Sequence, residues 1–222
     1  HTLRLYLSSP DNDAHDVFHA GLLTHKQPGE QPADTFTDDP LKLISADELL
    51  KDHGDDPLVH SAEPYQPNRL IYVSGPLPAS ATIAGVMDLL ANISLDTPDA
   101  DVGAEVDAIL PDGRTLVLGQ DMMRARFRHG IEKAQPAIPG AIEPWRFDEF
   151  YFTVRQLPKG TRLRVVLAPL NIPDLQKNYN SGGRIGYETA REARTATISV
   201  HLDPQHLSWL DLPLAPESRS RK

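Results

Sequence analysis

Apolar residues recur at every second position through much of this chain, and the longest such stretch runs from Ala84 to Arg128. Met87, Leu89, Ala91, Ile93 and Leu95 alternate with residues that include Asp88, Asn92 and Ser94, which predicts a strand with one buried face. After the turn Thr97-Pro98-Asp99-Ala100-Asp101, a second strand follows in Val102, Ala104, Val106, Ala108 and Leu110, interleaved with Gly103, Glu105 and Asp107. Pro111-Asp112-Gly113-Arg114 reverses the chain, since proline presets φ for a turn and glycine accepts a positive φ. Leu116 and Leu118 return beside it, and Met123, Ala125 and Phe127 alternate with Arg124, Arg126 and Arg128. Successive antiparallel strands with short connections are the pattern of a β-sandwich.

The same period extends outward from this centre. Thr2 to Leu7 is a first strand, and Gly21-Leu22-Leu23 a short second one, followed by a polar stretch ending in Asp38-Asp39-Pro40. Between there and Pro67 the period-2 signal vanishes. A capping box of Ser45 and Glu48, with Leu49 and Leu50 behind it and Gly54 as a stop, predicts one short helix in this long excursion. Strand character resumes over Arg69 to Val73. Trp145 and Phe147, then Phe150, Phe152 and Val154, read as one aromatic-rich strand whose phase slips at Asp148-Glu149 through a bulge. Leu163, Val165 and Leu167 alternate with Arg162 and Arg164, Asn171 to Gly183 reads as a loop, and Tyr187 to Arg194 as two helical turns. Ala196, Ile198, Val200 and Leu202 make a further strand, and Leu210 to Leu214 closes the pattern.

These elements predict an all-β fold, a jelly-roll β-sandwich with one or two short helices in long loops. It is expected to occupy residues 1–216 as a single domain, with a disordered tail over 217–222. The 20 prolines among 222 residues, roughly 9% against a usual ~5%, agree with a fold of many turns. A net charge of −9 without blocks of one sign makes nucleic acid an unsuitable partner. No apolar run approaches the ~20 residues of a spanning helix, so no membrane partner is expected. The absence of cysteine excludes disulfides and thiolate metal sites. The chain enters a strand directly after His1, without a leader, and reads as a segment of something longer.

Candidate chemistry is sparse. The serines in glycine context, Ser74 and Ser181, have no following amphipathic helix, so neither sits on the strand-to-helix elbow that exposes a nucleophile. His15 and His19 are four apart in a loop rather than on a helix, and His201 and His206 flank Asp203-Pro204 in a turn. Asp96, Asp99 and Asp101 offer oxygen ligands for calcium, but aspartate is equally what an ordinary turn prefers. Arg124, Arg126 and Arg128, with Arg162 and Arg164 on another strand, offer an anion site or salt bridges to a neighbouring acidic surface, against the plainer reading of a solvated face. The 14 aromatic residues fall mostly at core positions, which leaves little for a sugar-binding platform. On this reading no catalytic, cofactor-binding or metal residue is assigned to the chain.

The strings "DTFTDDP", "YVSGPL", "DTPDADVGAEVDAILPDGR", "LGQDMMRARFR", "LPKGTRLRVVL", "NYNSGG" and "HLDPQHLSWLDLPL", in that order and with Gly85 opening a long strand, carry a resemblance. From Leu3 to Leu214 the chain resembles the C-terminal domain of the X-Pro dipeptidyl-peptidase and cocaine esterase-like (CocE/NonD) hydrolase family, which includes α-amino-acid ester hydrolases and glutaryl-acylase-like enzymes. The resemblance implies a galactose-binding-type jelly roll that follows an α/β-hydrolase domain in a serine hydrolase. It places the catalytic triad wholly in that other domain and no cofactor in this one. The expected partner is the catalytic domain of the same polypeptide, on which the jelly roll packs and whose substrate pocket it helps to wall, with contacts in a homo-oligomer as a further role. A stand-alone module for a carbohydrate or protein ligand is the alternative. The chain departs from the family in having His206-Leu207-Ser208 for His-Pro-Ser and Asn180-Ser181-Gly182-Gly183 for Asn-Thr-Gly-Gly. Its stretch from Leu41 to Gln66, where the family builds part of the pocket wall, diverges throughout.

Overall fold

The alternation in the sequence is realised as strand in the computed structural model, which describes residues 1–12, 14–15, 18–42, 59–60, 68–171 and 175–216. The first six strands are β1 (Thr2–Ser8), β2 (Gly21–Thr24), β3 (Asp34–Asp38), β4 (Val59–His60), β5 (Leu70–Ser74) and β6 (Ala81–Gly85). Then come β7 (Asp88–Leu95), β8 (Asp101–Ile109), β9 (Thr115–Arg124), β10 (Glu143–Phe147) and β11 (Thr153–Leu157). The last three are β12 (Arg162–Pro169), β13 (Ala196–His201) and β14 (Trp209–Pro213).

Among the described residues twelve strands form one sheet, eleven of them in the path β3-β13-β7-β14-β1-β2-β5-β12-β8-β9-β4 and the twelfth, β10, paired with β7 off this path. Every pairing is antiparallel except β2 with β5. The path folds over on itself. Leu89, Ala91 and Ile93 of β7 and Trp145 and Phe147 of β10 share one core with Val102, Ala104 and Val106 of β8 and Leu163 and Val165 of β12. Each of the larger side chains among them, Val, Leu, Ile and Phe, contributes about 1.5–3 kcal/mol on burial, so the two layers of this β-sandwich hold each other. The strand β6 pairs with β11 as a two-stranded ribbon whose Ile83 and Leu157 also reach the core, and Ile83 makes a single bridge to Leu214.

Four local expectations are revised. The arginine-rich strand ends at Arg124, and Ala125–Phe127 is a 3₁₀ turn. No bulge accounts for the phase slip at Asp148-Glu149. The chain leaves β10 in the large sheet there and enters β11 in the ribbon; the register shift instead lies between β8 and β9, at Val106/Asp107. Tyr187 to Arg194 forms isolated turns, one closed by Thr189, whose amide donates to the Glu192 carboxylate at 2.8 Å, and no helix. The polar stretch before Asp39 contains β3, whose Asp34, Phe36 and Asp38 point inward. The helix expected at Ser45–Gly54, the bulk of the Leu41–Gln66 excursion and the tail at 217–222 lie outside the described residues.

Candidate functional site

The arginines of "RARFR" sit where β9 meets its 3₁₀ turn, and each is taken by a different carboxylate. Arg124 forks onto Asp101 with two hydrogen bonds of 2.8 Å, the residues facing each other across β8 and β9. Arg126 Nε donates to Asp99 at 2.6 Å, and its Nη1 to the carbonyl of Gly183 at 2.8 Å. Arg128 binds Glu143 at 2.5 Å and also donates to the carbonyls of Ala125 and Gln135. These are bidentate and carbonyl-capping uses of the guanidinium fork. The arginines therefore take the salt-bridging alternative, each on an acidic neighbour, and form neither a solvated face nor an open anion site.

The loop strings arrive at the same end of the sandwich. Asn178 Nδ2 donates to Asp99 at 3.1 Å and to Asp101 at 2.8 Å. Asn180, buried at a left-handed φ of 59°, donates to Asp38 at 2.8 Å and to the carbonyl of Arg194 at 3.1 Å. Asn171 also donates to Asp38, and Lys177 Nζ donates to Asn171 at 2.9 Å. Burial raises the Asp38 carboxyl above its ordinary range against the pull of Asn180 and Asn171. Burial likewise raises Asp99 against the pull of Arg126. Asp96, the third residue of the calcium reading, accepts the amide of Thr197 at 2.7 Å. The three aspartates are engaged by protein donors, and four strings that carry the resemblance, "DTFTDDP", "DTPDAD", "RARFR" and "NYNSGG", meet in one polar network. What it does chemically is fix a loop to two strands.

Arg162 and Arg164 are not part of this network. Arg164 pairs with Asp107 at 2.8 Å, both buried, six residues along β8 from Asp101, or roughly 20 Å. Arg162 donates to the carbonyl of Ser74 at 3.1 Å.

A serine does face a histidine. Ser94 Oγ lies 2.9 Å from His201 Nε2 between β7 and β13. His206 Nδ1 binds Asp203 at 3.0 Å, with the two imidazole rings 5.8 Å apart. Burial and the neighbouring His206 lower His201, which keeps it neutral and able to accept the Ser94 hydroxyl. The arrangement differs from a nucleophile and its base in two respects. Asp203 orients His206 rather than His201, and Ser94 lies within a strand paired with β13, not on an elbow with free amides for an oxyanion. Ser74 Oγ accepts the amide of Leu163 at 2.8 Å, and Ser181 Oγ bonds Glu188. His15 and His19 enter no cluster of three metal-ligating side chains among the described residues. A sugar platform on Trp145 is ruled out because that ring is 1% exposed inside the core.

The surface feature that strand alternation alone misses is on the ribbon. Phe152 and Val154 are 68% and 64% exposed, and Val86, Tyr151 and Met122 are about half exposed. Val154 is opposite Ala84, and Thr153 opposite Gly85, so Val86 and Phe152 extend the same edge of the ribbon. The segment before β11 is tied to β9 by Thr153 Oγ1, which donates to the carbonyl of Leu118 at 2.7 Å, and by the amide of Glu149, which donates to Asp121 at 3.0 Å. Met122 follows Asp121. The signal was present in the sequence as apolar residues on both phases of Phe150-Tyr151-Phe152-Thr153-Val154.

Residues 1–211 match the family described as the X-Pro dipeptidyl-peptidase C-terminal non-catalytic domain. The chain is 27% identical over 197 residues to the cocaine esterase of Rhodococcus sp. (strain MB1 Bresler), covering 87% of this chain and 34% of that protein. Its fold is similar to that of an aminopeptidase from a marine sediment Thaumarchaeota archaeon, with a TM-score of 0.80, 18% identity, and coverage of 97% of this chain and 37% of the other. It is also similar to an α-amino acid ester hydrolase, with a TM-score of 0.77, 20% identity, and coverage of 96% and 36%. The chain thus spans about a third of the length of these relatives. The match over nearly the whole chain, to which four of the strings gathered at one end of the sandwich correspond, means that it belongs to the family of X-Pro dipeptidyl-peptidase C-terminal non-catalytic domains, an accessory part of hydrolase proteins.

Proposed function

We propose that residues 1–216 act as a single accessory domain of a serine hydrolase, packing on an α/β-hydrolase domain of the same polypeptide and helping to wall its substrate pocket. The observation that carries this reading is the match of residues 1–211 to a domain described as non-catalytic. Relatives that give about a third of their length to this domain are named as an esterase, an ester hydrolase and an aminopeptidase, so the substrate class is an ester or a peptide of amino-acid type. The reacting serine, histidine and aspartate belong to the other domain, and this chain supplies no catalytic, cofactor-binding or metal residue. Ser94, lacking both an acid-oriented base and an elbow, supports that division.

A fluorophosphonate probe tests it. The full-length protein reacts at a serine outside these residues, and this chain alone does not react. Labelling of a serine within residues 1–216 would refute the proposal.

A further inference from the structure

The ribbon of β6 and β11 carries exposed apolar side chains at the end where Gly85 faces Thr153, while Arg155, opposite Ile83, and Gln156, opposite Thr82, are exposed toward its other end. Ile83 and Leu157 point into the sandwich, while Ala84 and Val154 pair on the opposite face, flanked by Val86 and Phe152. A cluster of exposed Phe, Val, Tyr and Met side chains on one strand end is the kind of patch that a partner surface covers. Ile83 and Leu157 are buried in the core, whereas Val86, Phe152 and Val154 on the outer face are exposed. The outer positions, Thr82, Ala84, Val86, Phe152, Val154 and Gln156, carry no ionisable side chain, so covering them strands no charge.

We infer that this outer face, with Tyr151 and Met122 beside it, is the surface on which the α/β-hydrolase domain of the same polypeptide seats. The inference rests on the accessory-domain reading above and adds the location of the contact. In a C-terminal domain the rest of the polypeptide joins at the start of β1, and about two thirds of each relative's length lies outside the match. The start of β1 lies against the ribbon. The His1 amine donates to the carbonyl of Leu214 at 2.9 Å, and the Leu214 amide donates to the carbonyl of His1 at 2.8 Å. Leu214 in turn bridges Ile83 of β6, and the Ala215 amide donates to the carbonyl of Thr82 at 2.8 Å. From Ile83 to Val86 is three residues of extended chain, roughly 10 Å. A domain tethered there meets the apolar face at high effective concentration, so a modest patch suffices to hold it.

Hydroxyl-radical footprinting of the full-length protein tests the assignment. Phe152 and Tyr187 are equally exposed in this chain, at 68%, and Ile131 is exposed on a different segment. After correction for intrinsic reactivity, Phe152 and Met122 oxidise at least about fivefold more slowly than Tyr187 and Ile131, as expected for side chains at the core of an interface. In the same protein, Val154→Asp splits a single thermal transition into two. Oxidation of Phe152 at the rate of Tyr187 overturns the assignment, whatever the stability of the variant. Protection that depends on protein concentration also overturns it, because the occupant is then a second copy. Fluorophosphonate labelling outside these residues, combined with an unprotected Phe152, leaves the accessory-domain reading standing and discards this face. Absence of such labelling discards both.

Discussion

Arg126 Nε lies 2.6 Å from the Asp99 carboxylate, with the two side chains 5% and 0% exposed. A buried pair of this kind contributes little over an apolar substitute, but loss of one partner strands the other charge at a cost of about 3–5 kcal/mol. Arg126→Met is therefore expected to lower the unfolding free energy by about that amount in urea titrations. Burial already raises Asp99, and without the guanidinium its folded-state value rises further. A raised carboxyl favours the native state below its unfolded value and penalises it as pH rises through the folded one. The deficit of the variant should thus be smaller near about pH 5 than near about pH 8. The double variant Arg126→Met/Asp99→Leu should recover most of the loss, and a double variant no better than the single would show that the carboxylate is not the origin of the cost.

His201 sets a pH dependence of the opposite kind. Burial, reinforced by His206, lowers it from 6.5 in the folded protein. The native state then binds fewer protons than the unfolded one, so this contribution is complete above about pH 6.5 and is lost as pH falls through the lowered folded value. Urea midpoints measured from about pH 7.5 down to about pH 5 should decline more steeply for the native protein than for His201→Gln, whose amide still accepts the Ser94 hydroxyl. Equal slopes would mean that His201 does not titrate differently on folding.

Much of the sandwich was legible because β7, β8, β12 and β13 obey the simplest rule, one apolar face and one polar face. The rule failed where polar residues occupy the inner phase or apolar residues the outer. β3 was missed because Asp34 and Asp38 point inward beside Phe36, with Asp38 held by Asn180 and Asn171, partners some 130 residues away that local periodicity cannot show. The arginine strand was read one turn too long because Ala125 and Phe127 keep the phase while the backbone tightens into a 3₁₀ turn. The apparent bulge after Phe147 was a change of sheet, which alternates in the same way as a slip in register. The polar network was spread over four separate strings, each of which reads locally as an ordinary turn or loop, and only the fold brings Asp38, Asp99, Arg126 and Asn180 together.

Asn180 combines a backbone and a side-chain requirement that substitutions can separate. Its φ of 59° is disfavoured for residues with a Cβ but tolerated by asparagine, and its side chain binds Asp38 and the carbonyl of Arg194. Asn180→Ala loses both features and is expected to cost about 2–4 kcal/mol, from the left-handed penalty and a hydrogen bond to a carboxylate. Asn180→Gly loses only the side chain and should be milder by about 1 kcal/mol. Equal losses in thermal unfolding would assign the whole effect to the side-chain contacts with Asp38 and the carbonyl of Arg194.

Ser94 and His201 present the pairing that most resembles catalytic machinery, and a substitution distinguishes appearance from role. A nucleophile replaced by alanine abolishes covalent labelling outright. A hydroxyl that only hydrogen-bonds a neutral imidazole on a strand face removes about 0.5–1.5 kcal/mol of stability and nothing else. Among the described residues Asp203 is bound to His206 and no carboxylate is seen on the second nitrogen of His201, and Ser94 sits opposite Ser199 within a continuous ladder. In the full-length protein, Ser94→Ala is expected to leave both fluorophosphonate labelling and ester or peptide turnover at the native level, with only a small drop in the denaturation midpoint. Loss of labelling would move the reacting serine into this domain and overturn the proposed accessory role.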